Sequence, residues 1–342
     1  MKVAFIIYSN AVVSGKSNGV RSQAIKWKRI LESKSSYNVD LIDNWGVYNW
    51  KDYKAIHIFG YDLSLLSFVS SIYKYNKNIY LSPIIDSTKP YWQYKLASFN
   101  GFKKFRLLSV NFVLKESMKY IKGVCSRSEH ESGYFSNSLN ISQTKIFQIP
   151  LSFGIDLPKN LEQILQNKEE FCLHVSSLYQ DRKNVKKLIN SAKKYGFNLK
   201  LVGNTGNLEQ TQMIKGWIDG VQNIELLGYV SYKELIELYK KAKVFALPST
   251  CEGVGIVALD AAIFGCNILM TNIPGPKEYY LKTNTLKIVN PLNVREIGDG
   301  ISTLLKKNNT KELHNHIVKN YSSIKLLENL IKMYNTDGEN FK

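Results

Sequence analysis

The stretch FALPSTCEGVGIVALDAA, residues 245–262, guides the interpretation of the whole chain. Its apolar start is typical of a buried strand, its middle is a loop of small residues that carries Glu252, and an apolar helix opens near Gly255. Two glycines in the loop allow the backbone to approach a ligand closely. The first turn of the helix directs free N–H groups and the positive end of its dipole out of the loop, which suits a diphosphate. Asp260 adds a second carboxylate about one turn inside the helix.

Apolar runs of strand length alternate with amphipathic stretches along the rest of the chain. Val185–Tyr195 spaces its apolar residues at i, i+3, i+4 and i+7, as a helix with one buried face does. The pattern restarts after about residue 160, so we predict an α/β fold of two Rossmann-like, doubly wound domains facing a cleft. The strand-length runs are Val3–Tyr8, Ala55–Phe59, Ile79–Leu81, Gly123–Ser126, Ile146–Ile149, Phe171–Val175, Leu199–Val202, Ile224–Leu227, Val244–Leu247 and Asn267–Met270.

Residues 248–261 resemble the P-S-x-x-E-G-x-G-x-x-x-x-E-A signature of the retaining glycosyltransferases of family four. The similarity is strong over residues 145–292 and weaker in the N-terminal half, at Asn18–Val20. It implies the two-domain GT-B fold and transfer of a sugar from a nucleotide sugar, such as a UDP- or GDP-sugar, to a glycan or lipid-linked acceptor. The other matching segments are His174–Asn184, Leu201–Gly203, Glu225–Val230, Glu234–Tyr239, Gly265–Asn272 and Gly275–Glu278.

The resemblance also implies an organisation into domains. Pro150 and Pro158 punctuate a stretch without periodicity, where we expect the boundary. Residues 1–155 would form the acceptor-side domain and residues 156–316 the nucleotide-sugar-binding domain. Residues 317–342 would form a C-terminal helix and tail that return to the N-terminal domain.

Each residue that matches the family signature is assigned a role by the resemblance. Glu252 would be the catalytic residue that contacts the donor sugar near the reacting carbon. Lys183, together with Arg182, would neutralise the diphosphate leaving group, whose charge grows in the transition state. Asp260 would bind the ribose hydroxyls. The other donor-binding residues would contribute mainly backbone groups to the sugar, the phosphates and the base: Gly19, Val230, Gly255, Ile256 and Val257.

The chain departs from the family pattern at several positions. Asp260 is one methylene shorter than the usual Glu, and Ser176–Ser177 replaces the usual Gly-Arg, a loss for which Arg182 would compensate. The family often has a His near the end of the fourth strand, where this chain offers Asp86 on the acceptor side. The resemblance therefore assigns no general base to this chain, and His57 is expected to be structural.

The chain is strongly basic, with 46 Lys and Arg against 28 Asp and Glu and a net charge of +18. Such an excess favours an anionic partner or a solvated basic surface. Residues 87–123 hold eight basic residues, one acid and interleaved aromatics, a composition typical of segments at anionic membranes or on single-stranded nucleic acid. Given a lipid-linked acceptor, we expect an anionic membrane surface as the partner, contacted by Lys103, Lys104 and Arg106. The alternative is a solvated face with its aromatics in the core.

Several other classes are disfavoured by the sequence. No C-x-x-C pair or His cluster is present, which disfavours a zinc or redox site. The resemblance implies transfer without a metal or another cofactor. No apolar run approaches the ~18–20 residues of a membrane span, and we expect a cytoplasmic protein peripheral on the inner face of the membrane. No G-x-G-x-x-G follows the first strand, which disfavours an NAD enzyme.

Rival interpretations remain for the whole chain and for two features of the site. The chain could be a nucleotide-sugar epimerase of the same fold or a basic nucleic-acid-binding protein, although no nucleic-acid recognition module supports the latter. Glu252 could instead cap the helix, and Arg182 and Lys183 could form a solvated pair.

Overall fold

The computed structural model describes residues 1–8, 19–99, 101–102, 105–106, 108–280 and 282–336. These residues form two compact units. Unit 1 combines Met1–Pro150 with the segment from Ser323 onward, and unit 2 comprises Leu151–Ser322. The boundaries predicted from the sequence fell after residues 155 and 316. The second of these lies inside the helix Glu312–Tyr321, and the units divide at the end of that helix instead.

Unit 1 is organised around a parallel sheet. Its strands are β1 (Lys2–Ile7), β2 (Asn38–Leu41), β3 (Ala55–Phe59), β4 (Ile79–Ser82), β5 (Gly101–Phe102), β6 (Phe105–Arg106), β7 (Gly123–Ser126) and β8 (Ile146–Gln148). β5 and β6 form a separate antiparallel pair, and the other six strands pair in the order β2-β1-β3-β4-β7-β8, all parallel. All residues of β3, β4 and β7 are buried, as expected of strands covered on both faces.

Helices from the first 150 residues accompany these strands in the described part of unit 1. They are α1 (Gly19–Lys34), α2 (Leu65–Ile72), α3 (Tyr91–Ala97), α4 (Val110–Ser117) and α5 (Glu129–Gly133). α2 and α4 bury Leu65, Val69 and Val113 in the core of unit 1 together with Ile58 and Leu81 of the sheet. Because every strand pair in the sheet is parallel, all carboxyl ends lie at one edge and all amino ends at the other.

Unit 2 repeats this architecture. Its strands are β9 (Glu169–Val175), β10 (Asn198–Val202), β11 (Ile224–Gly228), β12 (Ala242–Leu247), β13 (Asn267–Thr271) and β14 (Leu286–Val289), paired in parallel in the order β11-β10-β9-β12-β13-β14. Its helices are α6 (Leu161–Gln166), α7 (Val185–Tyr195), α8 (Leu208–Ile218), α9 (Tyr232–Lys241), α10 (Ile256–Ile263), α11 (Val294–Leu305) and α12 (Glu312–Tyr321). The helix predicted over Val185–Tyr195 is confirmed, with Val185, Leu188, Ile189 and Ala192 buried.

The last helix, α13 (Ser323–Tyr334), belongs to unit 1. Nδ1 of His57 lies 2.8 Å from the Tyr334 hydroxyl, and Nε2 lies 2.8 Å from Ser82 Oγ. The Tyr80 hydroxyl donates to the Met333 carbonyl at 3.1 Å. Burial lowers the pKa of His57 to about 3, so the imidazole is neutral at physiological pH. His57 is structural, as predicted, and helps to hold the C-terminal helix on the unit 1 sheet.

Candidate functional site

The loop between β12 and α10 takes the shape that its glycines predict. Gly255 lies in the left-handed region at φ 75° and is the N-cap of α10. A Cβ on Gly255 would approach Leu247 Cδ2 to 2.9 Å, so a side chain there would meet both backbone strain and a packed neighbour. The amides of Ile256 and Val257 lie in the first turn of α10, at the positive end of its dipole. This is the arrangement expected of an anion site at the carboxyl edge of the sheet.

Lys183 and Glu252 form an ion pair at this loop. Lys183 Nζ donates to Glu252 Oε2 at 2.5 Å, and the two side chains are only 11% and 13% exposed. The Ser249 hydroxyl donates to the same carboxylate oxygen at 3.3 Å. Glu252 thus binds Lys183 and Ser249, and the alternative of a helix cap finds no support in these contacts. The alternative of a solvated cation does not fit Lys183 either, because its side chain is nearly buried and paired with Glu252.

The segment that carries Lys183 is fixed to the loop by the next residue. Asn184 lies in the left-handed region at φ 60° and begins α7. Its side-chain amide donates to the Pro248 carbonyl at 2.9 Å and to the Pro291 carbonyl at 2.5 Å. The Thr250 amide donates to the Arg182 carbonyl at 2.8 Å, which closes the contact from the other side. These bonds fix the backbone on both sides of Lys183 next to the loop, so that its side chain starts from a fixed position.

Arg182 occupies a different position from its neighbour. Its side chain is exposed, Nε donates to Gln180 Oε1 at 3.0 Å, and one terminal nitrogen donates to the Cys251 carbonyl at 3.4 Å. It lies beside the loop, and these two hydrogen bonds use only part of the five N–H donors of its guanidinium group. The alternative of a solvated residue fits Arg182 better than Lys183.

Asp260 is directed into unit 2. It is 7% exposed and accepts a hydrogen bond from the Gly154 amide at 2.5 Å. A Cβ on Gly154 would approach Asp260 Oδ2 to 3.2 Å, so the close contact favours glycine there. Burial and then the nearby Asp260 carboxylate raise the pKa of Tyr239 and of Tyr280 well above their usual values. The contact with ribose assigned to Asp260 stays a prediction, and the sequence did not indicate its bond to Gly154.

Backbone contacts join the carboxyl ends of β9, β10 and β11. The Gly203 amide donates to the Gly228 carbonyl at 2.7 Å, and a Cβ on Gly203 would lie 1.8 Å from the Ser176 carbonyl oxygen. Only glycine therefore fits at Gly203, whose φ is 130°. Val230, the residue predicted to meet the base, follows two positions after Gly228, and between them Tyr229 is 87% exposed. No pattern in the sequence indicated this exposed ring.

His174 is a second residue that the sequence analysis missed. It is fully buried in β9, with Nδ1 2.8 Å from the Ala246 carbonyl and Nε2 2.7 Å from Ser176 Oγ. The carbonyl can only accept, so Nδ1 carries the proton and Nε2 accepts from Ser176. Burial, more than the nearby Lys183 charge, lowers the pKa of His174 to about 4. This neutral bridge fixes β9 against β12, the two strands from which Lys183 and Glu252 follow.

The acceptor-side residue Asp86 lies beyond the carboxyl end of β4 in unit 1. Its side chain is 43% exposed and accepts a hydrogen bond from Arg127 at 2.7 Å. Arg127 is nearly buried and also binds Glu131 at 2.9 Å, and these two carboxylates raise its pKa against the effect of burial. Ile84 lies in the left-handed region at φ 63°, which is rare for a β-branched residue. Asp86 is thus a half-exposed carboxylate that a buried arginine holds in place.

The remaining predicted residues are described only in part. Gly19 is the first residue of α1 and is exposed, and residues 9–18 before it lie outside the described residues. Lys103 and Lys104 lie outside the described residues, and for Arg106 only the backbone, in β6, is described. No helix in the described part of the chain is long and apolar enough to cross a bilayer. Across the same residues, no cluster of His, Cys, Asp and Glu side chains is arranged to hold a metal ion.

Known proteins similar to this chain are glycosyltransferases. Residues 158–323 match the family model described as glycosyl transferases group 1. The chain is 26% identical over 297 residues to an uncharacterized glycosyltransferase of Methanocaldococcus jannaschii, covering 81% of this chain and 75% of the relative. It is 25% identical over 265 residues to the capsular polysaccharide biosynthesis glycosyltransferase CapM of Staphylococcus aureus, covering 71% and 68%. The solved structure of HepE of Anabaena with UDP-glucose aligns over 97% of this chain and 98% of that one, at a TM-score of 0.71 and 14% identity.

The fold and these similarities define the class. The two parallel six-stranded sheets are those of the GT-B fold. The protein is a glycosyltransferase, and its residues 158–323 match the model of glycosyl transferases group 1. The comparisons do not favour the epimerase alternative.

Proposed function

We propose that this glycosyltransferase is a retaining enzyme of surface polysaccharide or glycolipid biosynthesis that uses a nucleotide-sugar donor. The observation that carries the proposal is the buried Lys183–Glu252 pair beside the N-terminus of α10. A cation, a carboxylate and free helix amides meet there, which are the groups needed for a diphosphate and the sugar attached to it. The similarity to a capsular polysaccharide glycosyltransferase supports the choice of pathway.

The chemistry follows from where charge develops. The bond from the anomeric carbon to the diphosphate oxygen breaks, and a new bond forms from the same carbon to the acceptor hydroxyl oxygen. The leaving diphosphate gains negative charge, which Lys183 and the amides of Ile256 and Val257 would stabilise. The hydroxyl proton leaves with the diphosphate or passes to solvent. Because fixed cations and amides can carry the developing charge, we expect transfer without an added divalent metal.

The ion pair explains how the donor-free site stays stable. A lone ammonium group or carboxylate that is nearly buried would be costly, and each neutralises the other. When a donor binds, the diphosphate would take up the ammonium group, and Glu252 would turn its carboxylate to a sugar hydroxyl. Each charge would therefore exchange one partner for another. Because both are already nearly buried, donor binding would add little desolvation cost.

The predicted association with an anionic membrane has support in unit 1. Trp92, Leu96 and Phe99 follow an i, i+4, i+7 spacing on and after α3 and are 60%, 64% and 52% exposed. Lys89 and Lys95 flank this stripe and are exposed as well. Exposed apolar residues beside lysines match the chemistry of an anionic bilayer surface, and we propose that the α3 stripe docks there to reach a lipid-linked acceptor.

Two experiments test these proposals. A thermal-shift screen of UDP- and GDP-sugars, followed by product analysis, should reveal a donor whose sugar is transferred; conversion to an epimeric nucleotide sugar would contradict the proposal.

The triple variant Trp92→Ser, Leu96→Ser, Phe99→Ser should bind phosphatidylglycerol vesicles at least tenfold more weakly than the wild type. The control Leu208→Ser, Met213→Ser removes exposed apolar residues from unit 2 and should change nothing. Equal binding by all three proteins would exclude docking through α3.

A further inference from the structure

A pocket lined by lysines lies at the amino edge of the unit 1 sheet, in a different unit from Lys183 and Glu252. Asn78, Lys122 and Lys145 each directly precede a strand, namely β4, β7 and β8. These three strands are neighbours in the parallel sheet, so the three residues converge at one edge. The pocket has a volume of about 280 Å³ and is lined by Tyr73, Lys77, Asn78, Lys119, Tyr120, Ile121, Lys122 and Lys145.

Two exposed lysines form the rim of this lysine pocket. Lys77 Nζ lies 5.8 Å from the centre of the Tyr73 ring, and Lys119 Nζ lies 5.3 Å from that of Tyr120. Such cation–π contacts hold the ammonium groups near the pocket at little cost. Lys119 also lies 3.7 Å from Glu116, whose side chain is 39% exposed and is not part of the lining. The rim is therefore positive and prearranged.

Two further lysines form the inner wall, where hydrogen bonds fix them. Lys122 Nζ donates to Asn78 Oδ1 at 2.9 Å. Lys145 Nζ donates to the carbonyls of Met118 at 3.2 Å and Ile121 at 3.1 Å. These amide and carbonyl oxygens orient the two ammonium groups. Burial lowers the pKa of Lys145, because desolvation disfavours its charged form.

We propose that the lysine pocket binds a phosphate group. Four lysines line one small pocket, and the eight lining residues include no acid, although Glu116 outside the lining pairs with Lys119. A phosphate accepts hydrogen bonds on several oxygens at once, and lysine is a common partner for it. The volume suits a phosphate with a short substituent rather than a polymer. Either a soluble phosphorylated compound or a lipid headgroup could supply this group, and neither source depends on the activity proposed for unit 2.

The test compares two double variants of the full chain. Lys77→Ala, Lys119→Ala removes the rim charges of the pocket. Lys186→Ala, Lys194→Ala is the matched control, because those exposed lysines also contact aromatic rings, at 5.6 Å and 5.8 Å, but lie on the open surface of α7 in unit 2. Both variants lose the same charge, so general electrostatic attraction falls equally in the two.

Hydrogen–deuterium exchange then localises binding. Inorganic pyrophosphate should protect residues 73–78 and 119–122 in the wild type and the control, and half-protection should need about tenfold more pyrophosphate in the pocket variant. If phosphatidylglycerol vesicles also protect these segments and phosphatidylcholine vesicles do not, the phosphate belongs to a lipid headgroup. Protection by pyrophosphate alone assigns a soluble ligand. Absence of local protection, or equal behaviour of the two variants, would overturn the proposal.

Discussion

Replacing Lys183 with Met should weaken the binding of a nucleoside diphosphate by about 1.5–3 kcal/mol, the scale of a charge-assisted hydrogen bond. This corresponds to a roughly 10- to 150-fold rise in Kd. Met retains most of the apolar stem of Lys183, so the loss of affinity reflects the missing ammonium group rather than altered packing. The variant also leaves Glu252, with a side chain only 13% exposed, facing a diphosphate without its cation. That repulsion places the expected loss toward the upper end of the range.

The companion variant Glu252→Gln separates binding from chemistry. It removes the competitor for Lys183 while preserving shape, so the diphosphate Kd should be unchanged or lower. Sugar transfer should nevertheless fall at least ~100-fold, the scale for losing a positioned charge next to a reacting centre. In the double variant, loss of the Glu252 charge removes the repulsion, so the loss in binding should be smaller than the sum of the single effects.

Isothermal titration with UDP and with GDP measures these changes, and thermal unfolding confirms that each variant is folded. Lys186→Met is the control for loss of a nearby surface lysine. A Kd for Lys183→Met equal to that of the wild type would refute the assignment. If Arg182→Ala alone abolished binding, the role would belong to Arg182.

Three further predictions follow from the structure. Gly255→Ala should destabilise unit 2 by about 1–3 kcal/mol in urea unfolding, because φ is 75° and the new Cβ would approach Leu247; wild-type stability would contradict this. If Asp260 reaches ribose, Asp260→Asn should weaken the binding of a nucleotide more than that of its 2′,3′-dideoxy analogue, and equal losses would show that no such contact exists. His57 and His174 have folded pKa values of about 3 and 4, below the unfolded value of about 6.5, so the unfolded chain binds more protons in this window. Stability should therefore fall by about 1.6 kcal/mol per histidine from pH 6.5 to 5, and His57→Gln should lower this slope in urea titrations; an unchanged slope would show that His57 does not contribute.

The sequence could predict the central strands of both sheets because both faces of these strands are covered. Such strands appear as continuous apolar runs, and Ala55–Phe59 and Gly123–Ser126 were located with their bounds. Of the four edge strands of the two six-stranded sheets, β8 and β11 were predicted and β2 and β14 were missed. β2 alternates polar with apolar residues and Lys287 interrupts β14, so neither forms a continuous apolar run. The single C-terminal helix expected within residues 317–342 proved to be parts of two helices, α12 and α13, which are divided at Ser322.

The candidate site was predictable only where it follows from topology. Lys183 and Glu252 are 69 positions apart, yet they follow the neighbouring strands β9 and β12, whose carboxyl ends lie together in a parallel sheet. The bond between Asp260 and the Gly154 amide depends instead on how a distant loop packs. The exposure of Tyr229 likewise depends on packing, which neither periodicity nor spacing encodes.

The most direct test of the account follows the fate of the donor. In the presence of α-linked UDP- and GDP-sugars, even slow transfer to water releases a nucleoside diphosphate and a free sugar, whose anomeric form proton NMR identifies before it equilibrates. A retaining transferase should release the α-anomer first, at a rate that falls at least ~100-fold in Glu252→Gln. Release of the β-anomer would contradict the retaining mechanism. Release that continues undiminished in Glu252→Gln would show that the chemistry does not depend on this carboxylate.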